Sequence, residues 1–188
     1  MALTIPPAIH RIFIGIPVDK NSQQKINELV KPIKSSLPDV RWVPASNWHL
    51  TLAFLGNKPA SVVENLTRQL DETYQQEAHF QFNMSTLKRF PESTGRIIAL
   101  VEEPEGSLNE LFQITLELLQ RNNIEFDPLD FRPHITLGRI KRAKHIKTKL
   151  DRQTNINLNI TKVVLYLSTR TESGPVYSAL KQTRLRAQ

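Results

Sequence analysis

The chain contains two His-x-Thr tripeptides half a chain apart, each within a run of aliphatic residues. The first lies in WHLTLAFLG at 48–56 and the second in PHITLGR at 133–139. Short apolar runs of this kind are typical of buried strands. Residues two apart in a strand share a face, so each histidine lies beside its threonine and opposite its aliphatic neighbours. The sequence therefore predicts two similar strands, each burying one face and presenting imidazole and hydroxyl groups to a cleft.

Strand signals elsewhere in the chain often follow one another directly. The predicted strands, which are apolar and β-branched, cover residues 9–16, 80–89, 96–101, 163–169 and 176–180, with a short segment at 41–43. Strands that come in neighbouring pairs favour antiparallel pairing over a doubly wound parallel sheet. We expect an α+β fold with mostly antiparallel sheets flanked by helices.

Apolar residues at helical spacing predict three helices. The first begins after Asp19 or Asn21. The other two begin at serines that are followed three residues later by glutamate, the spacing of a capping box; these pairs are Ser61 with Glu64 and Ser107 with Glu110.

Each half of the chain thus holds helical segments and one His-x-Thr strand, which indicates an internal duplication. We expect a single domain, residues 1–188, made of two pseudo-symmetric lobes around a central cleft. Residues 49–52 would come from one lobe and 134–137 from the other. Gly56 and Gly138 lie near the two strand ends, where the backbone can approach a neighbour closely.

Composition limits the chemistry and suggests the partner. The chain has no cysteine, which excludes thiol nucleophiles, disulfides and cysteine-bound zinc. Its net charge of +7 and pI of about 9.8 favour anionic partners such as nucleic acid, although an unselective basic surface has the same composition. No apolar run approaches the ~20 residues of a membrane span. The N-terminus lacks the features of a secretion signal, so we expect a cytoplasmic protein without a membrane partner.

Two histidines facing one cleft suit general acid–base catalysis. The ordinary imidazole pKa lies near 6.5, so at neutral pH one ring can be neutral and the other protonated. Each positioned proton transfer contributes about 10²–10⁴ in rate. The hydroxyls of Thr51 and Thr136 suit the non-bridging oxygens of a phosphate between the rings, and Arg139 could add a charge-assisted contact.

Other site chemistries fit less well. Catalytic zinc usually takes three protein ligands, and two histidines with two threonines are a poor set, so we expect no metal or other cofactor. The sequence has no Gly-x-Ser-x-Gly elbow, no Walker A loop and no glycine-rich dinucleotide turn.

The motifs HLTL and HITL resemble those of the 2H phosphoesterase family. The fuller strings RIFIGIP, RWVPASNWHLTLAFLG, PHITLGR and LYLSTRTESGPVYSAL look like those of the RNA 2′,3′-cyclic phosphodiesterases, also called 2′-5′ RNA ligases. The resemblance implies two α+β lobes around a cleft and hydrolysis of RNA 2′,3′-cyclic phosphate ends to 2′-phosphates. It also implies that neither metal nor ATP is used.

The same resemblance implies roles for individual residues. His49 would be the proton donor to the leaving oxygen and His134 the proton acceptor that activates water, with Thr51 and Thr136 holding the phosphate. By residue type alone the two histidines are equivalent, and the reverse ligation would exchange their roles.

Further candidates each have a structural alternative. Arg139 could steer the phosphate or be a solvated arginine, and Tyr177 could contact a nucleoside or pack in the sheet. We expect only one of Arg11 and Phe13 to face the cleft, with Phe13 in the core. Trp42 and Trp48 are expected to cover their lobe. The basic segment Lys141–Lys149 could follow an RNA backbone or form a charged loop.

Two further hypotheses compete with catalysis. The cleft could bind a nucleotide or RNA end without reaction, or the basic surface could bind RNA independently of the cleft. Neither hypothesis requires the two histidines to exchange protons with a substrate.

Overall fold

The computed structural model describes residues 9–126, 131–141, 150–172 and 174–187. Within these ranges nine strands and three helices follow one another in the order β1 (Ile9–Pro17), α1 (Lys20–Ser36), β2 (Val40–Trp42), β3 (His49–Pro59), α2 (Ala60–Tyr74), β4 (Phe80–Phe90), β5 (Ile97–Val101), α3 (Gly106–Arg121), β6 (His134–Ile140), β7 (Arg152–Ile160), β8 (Lys162–Thr171) and β9 (Gly174–Arg184). A short 3₁₀ helix, Ala45–Asn47, precedes β3. None of the helices in the described part of the chain is long and apolar enough to cross a membrane.

The strands form one sheet in the order β7-β4-β5-β6-β3-β1-β8-β9, with β2 paired to β6 beside this path. The pairs between these strands are antiparallel, which confirms the predicted α+β class. The two His-x-Thr strands, β3 and β6, are adjacent at the centre and meet at Leu50 opposite Ile135. One side of this junction therefore contains the four strands β3, β1, β8 and β9. The other side contains the five strands β6, β5, β4, β7 and β2.

Buried aliphatic side chains hold the helices against the sheet. Helix α2 packs on β1, β3 and β9, α3 packs on β3, and α1 packs on β7. Leu50 and Ile135 are fully buried in the core, and so are Ile26 of α1 and Leu66 of α2. The junction between β3 and β6 is thus held by the main hydrophobic core.

The helix starts differ in part from the predicted ones. Asp19 is the N-cap of α1, as expected, and its side chain accepts a hydrogen bond from the Ser22 amide. The capping boxes at Ser61 and Ser107 were wrong. Helix α2 has Pro59 and α3 has Glu105 at the N-cap, without a side-chain cap in either case. Both serines lie inside the first turn, where the backbone is helical, whereas a capping residue must stand outside it.

Strand β7 was missed by the sequence analysis. Its sequence, RQTNINLNI, is largely polar, and only Ile156, Leu158 and Ile160 alternate into the core. It is an outer strand of the sheet, paired with β4 along one edge. Strands with one solvated face have this period-two pattern, which is easily masked by asparagine and glutamine.

The Asp19 carboxylate also connects α1 to β7. One oxygen accepts from the Ser22 amide at 3.0 Å, and the other accepts from the Asn159 amide at 3.1 Å. We expect Asp19→Ala to lower the free energy of unfolding by about 1–3 kcal/mol, since it removes the cap and leaves the Asn159 amide without its acceptor.

Urea unfolding of the variant checks this expectation. Asp19→Asn, which keeps an acceptor oxygen, should lose less, and Asp39→Ala, at an exposed aspartate, should change stability by less than about 0.5 kcal/mol. Equal losses for Asp19→Ala and Asp39→Ala would contradict this role.

Candidate active site

A cavity of about 910 Å³ lies over the junction of β3 and β6. It receives side chains from both His-x-Thr strands, from the 3₁₀ segment and from the β8–β9 hairpin. All six site residues predicted from the sequence line it, namely His49, Thr51, His134, Thr136, Arg139 and Tyr177. The structure thus brings together residues that are up to 128 positions apart in the chain.

The strand register sets the arrangement of the four motif side chains. Because β3 and β6 run antiparallel with Leu50 opposite Ile135, His49 lies across from Thr136 and Thr51 across from His134. Each imidazole is therefore placed next to the threonine of the other strand. Among the described residues β3 and β6 pair at this one position, and the four motif side chains beside it line the same cavity.

Matching β-bulges follow the two threonines. Leu52 is the extra residue of β3 against β1, and Leu137 is the extra residue of β6 against β5. Each bulge shifts the alternation of the strand by one residue. As a result, Phe54 and Arg139, three residues after the respective threonine, return to the cleft face and line the cavity.

Each imidazole is oriented by a backbone carbonyl two residues earlier. His49 Nδ1 lies 2.7 Å from the Asn47 carbonyl oxygen, and His134 Nδ1 lies 2.9 Å from that of Arg132. A carbonyl can only accept, so Nδ1 donates in both rings. The neutral form of each ring then carries its proton on Nδ1 and keeps the Nε2 lone pair for a ligand.

Asn47 and Arg132 are themselves anchored in the same way. Asn47 Nδ2 donates to the Pro175 carbonyl at 2.7 Å, and Arg132 Nη2 donates to the Pro91 carbonyl at 3.1 Å. The sequence analysis missed both residues. Their shared position, two residues before each histidine, was the available signal.

An aromatic ring supports each imidazole. Phe13 lies 4.7 Å from the His49 ring and Phe90 lies 4.2 Å from the His134 ring, centroid to centroid. Tyr177 contacts His49 edge-on at 5.0 Å. These contacts restrict ring rotation and bury one face of each imidazole.

The structure also places the other candidates, which are Arg11, Phe13 and the two tryptophans. Phe13 is buried, as expected, but Phe13 and Arg11 both line the cavity, so the expectation that only one faces the cleft was wrong. The physical reason is that residues two apart in a strand share a face. Trp48 is buried, whereas Trp42 lines the cavity. The basic segment predicted at Lys141–Lys149 lies, beyond Lys141, outside the described residues.

Burial and positive charge depress the pKa of both histidines. Desolvation is the main cause of a pKa of about 4 for His49, and the nearby His134 and Arg139 act in the same direction. The hydrogen bond to the Asn47 carbonyl opposes this shift. Desolvation also lowers the pKa of His134, followed by the charges of Arg139 and Arg132. In the free protein both rings are therefore neutral at pH 7.

The cavity lining is electropositive. It contains the guanidinium groups of Arg11, Arg41, Arg139 and Arg170, and none of the described lining residues is aspartate or glutamate. An anion bound there would favour the protonated form of an imidazole and thus oppose the shifts described above. Two imidazoles with free Nε2 atoms, two hydroxyls and surrounding cations in one cavity are suited to bind a phosphate ester and exchange protons with it.

Sequence comparison assigns the family. The sequence model of the LigT-like phosphoesterases matches the chain twice, at residues 16–99 and 98–177. The chain belongs to the LigT-like phosphoesterase family. Its second match begins where the first ends, and each match contains one His-x-Thr strand.

Individual relatives agree with this assignment. An RNA 2′,3′-cyclic phosphodiesterase of Archaeoglobus fulgidus is 27% identical over 91% of this chain and 98% of its own length. One from Thermotoga maritima is 26% identical over 90% of this chain and 92% of its own. The crystal structure of Escherichia coli LigT complexed with ATP is 25% identical, with a TM-score of 0.73 over 96% of this chain and all of that one.

The depressed pKa of His49 predicts a pH-dependent stability. The His49 ring binds a proton near pH 6.5 in the unfolded chain but only near pH 4 in the folded chain. The free energy of unfolding is therefore highest above pH 6.5 and decreases as the pH falls toward 4. The loss amounts to roughly 3 kcal/mol at most.

Chemical denaturation from pH 7.5 to 4 measures this effect. His49→Gln should flatten the decline relative to the wild type, and His79→Gln, at a residue outside the cavity lining, should not. An unchanged decline in His49→Gln would show that burial does not penalise the charged ring.

Proposed function

We propose that the protein is an RNA 2′,3′-cyclic phosphodiesterase that hydrolyses 2′,3′-cyclic phosphate ends to 2′-phosphomonoesters. The names of the full-length relatives support the substrate. The observation that carries the mechanism is the β3–β6 register, by which each imidazole lies across from the threonine of the other strand in one cavity. A single phosphate can then contact all four side chains.

The proposed reaction has one displacement step. Water attacks phosphorus and gives a proton to Nε2 of His134, while the bond from phosphorus to O3′ breaks and O3′ takes a proton from Nε2 of His49. The hydroxyls of Thr51 and Thr136 donate to the non-bridging oxygens, whose charge increases in the transition state. Arg139 adds positive charge beside these oxygens. Tyr177, which contacts His49 edge-on, lines the part of the cleft that binds the nucleoside.

His49 needs a proton for this role, although it is neutral in the free protein at pH 7. The bound phosphodiester supplies a negative charge next to the ring, which raises the pKa of His49 from about 4 toward its ordinary value. His134 must remain neutral to accept a proton. Desolvation lowers the pKa of His134, and the charges of Arg139 and Arg132 lower it further, which favours the neutral form of this ring.

The same site also suits ligation. If the 5′-hydroxyl of a second RNA replaces water, attack on phosphorus opens the ring in the same way and forms a 2′-5′ linkage. The two imidazoles then have the roles that they have in hydrolysis. The exchange of roles expected above belongs to the reverse step, in which the 2′-5′ linkage is cleaved back to a cyclic phosphate. We include this 2′-5′ RNA ligase activity in the proposal.

The partner in this proposal is an RNA end or a small cyclic nucleotide, with neither metal nor protein partner required. The described lining residues offer two imidazoles and no carboxylate, fewer ligands than catalytic zinc usually takes. The proposal also treats residues 1–188 as one domain of two lobes. The identical order of buried and exposed positions over His49–Leu55 and His134–Ile140 supports such a duplication.

Replacing either histidine tests the mechanism. We expect His49→Ala and His134→Ala each to lower kcat on a 2′,3′-cyclic end by about 10²–10⁴ with unchanged folding, because each removes one proton transfer. Product analysis and circular dichroism measure the two properties, and His79→Ala is the matched control. Addition of a chelator should leave the wild-type rate unchanged.

The competing hypotheses give other results. Tight nucleotide binding without turnover of any 2′,3′-cyclic end would favour a binding module that uses the same cleft. Salt-sensitive RNA binding that is indifferent to both histidine replacements would favour a general RNA-binding surface. Full activity in either alanine variant would exclude the proposed proton transfers.

A further inference from the structure

Two arginines stand directly opposite each other at one end of the cleft. Arg41 on β2 is paired with Arg139 on β6, and both side chains line the cavity. Like charges at opposite positions of a ladder repel each other and destabilise the pair. Both arginines are exposed to solvent, and an anion between them would be attracted by both guanidinium groups and would offset their mutual repulsion.

A third arginine reaches the same end from the β8–β9 hairpin. Arg170 is paired with Pro175 near the hairpin turn and also lines the cavity. The hairpin lies against Arg41, because a Cβ on Gly174 would be 3.7 Å from Arg41 Nη1. The guanidinium groups of Arg41, Arg139 and Arg170, called here the arginine triad, thus border one part of the cleft.

The triad has no carboxylate partner among the described residues. The ion pairs in that part of the chain are Arg132 with Glu92 and Lys181 with Asp71. A cluster of cations without internal compensation attracts anions more strongly than one that is already neutralised.

The strand register fixes which end of the cleft the triad occupies. From Leu50 opposite Ile135, β6 runs forward to Arg139 while β3 runs backward to His49 and Asn47. The triad therefore lies on the His49 side. The position on β3 equivalent to Arg139 holds Phe54, at the other end, where Arg11 lies 4.8 Å over its ring. The cleft consequently has three guanidinium groups at the triad end and one, that of Arg11 over Phe54, at the other.

We propose that the arginine triad forms a second phosphate subsite, in which Arg41 and Arg170, next to Arg139 at the reacting phosphate, bind the phosphodiester preceding the terminal nucleoside of an RNA chain. This inference rests on the proposed function. In that reaction O3′ leaves toward His49, so the terminal ribose and the chain attached to it lie on the triad side. Only an oligonucleotide has this second phosphate, so an oligonucleotide end is preferred as substrate over a mononucleoside cyclic phosphate.

Two substrates with the same reacting group separate the subsite from the reaction centre. One is a mononucleoside 2′,3′-cyclic phosphate and the other a trinucleotide with the same cyclic end. The quantity to compare is the ratio of kcat/KM for the trinucleotide to that for the mononucleotide. We expect a wild-type ratio of about ten or more at low salt, because charge-assisted contacts to a phosphate are worth about this factor.

Charge reversal within the triad tests which residues produce the preference. Arg41→Glu and Arg170→Glu should each lower the ratio about tenfold, whereas Arg152→Glu should not change it. Arg152 is an exposed arginine of β7 outside the cavity lining, so it controls for net charge. For the trinucleotide, the slope of log kcat/KM against log salt should also decrease by about 0.7 for each phosphate that the variant no longer neutralises.

The result can contradict the subsite without contradicting the proposed function. A wild-type ratio near one, or equal decreases of the ratio in Arg41→Glu, Arg170→Glu and Arg152→Glu, would overturn the subsite. If the wild type turns over neither substrate, the proposed function fails. In that case the same ratio, taken from equilibrium binding of the 2′-phosphorylated trinucleotide and mononucleotide, supports or overturns the subsite.

Discussion

The pairing of Leu50 with Ile135 is the contact on which the site depends. It joins the two groups of strands, and both side chains are fully buried in the core beneath the cleft. A slip of one residue at this junction would turn the histidines and threonines into the core and the aliphatic residues into solvent. The free energy of burying the aliphatic side chains therefore also fixes the positions of the polar groups opposite them.

The central part of this site was predictable from the sequence because it is local. Alternation within HLTL and HITL defines the faces of both strands, and the recurrence of the pattern indicated that they belong together. The same period-two argument, applied to Arg11 and Phe13, was made wrongly, and both residues lie on the cleft. The capping boxes failed because Ser61 and Ser107 stand inside their helices rather than before them.

Other features depend on contacts between distant segments. The carbonyls of Asn47 and Arg132 orient the imidazoles only because their side chains are held by Pro175 and Pro91. The first of these bonds spans 128 residues, which no local pattern encodes. The two bulges likewise arise from pairing with β1 and β5. They decide that Arg139, and its counterpart Phe54, face the cleft.

Charge in the cleft affects both imidazoles. Burial and neighbouring cations keep both imidazoles neutral in the free protein, and an anion in the cleft reverses the sign of the local charge. The two His-x-Thr strands have the same order of buried and exposed positions, but Phe54 on β3 stands at the position equivalent to Arg139 on β6. Under the proposed function, the repeated pattern provides the two groups that transfer protons, and the difference between Phe54 and Arg139 orients the substrate between them.

The claim that two imidazoles share one anion can be tested most directly by NMR titration of the His49 and His134 ring protons. The titration is done with and without sulfate, whose charge is constant over the relevant pH range. The account predicts that sulfate raises the pKa of both rings, each by about one unit or more, because one anion lies between them. A rise at one ring alone, or at neither, would contradict it.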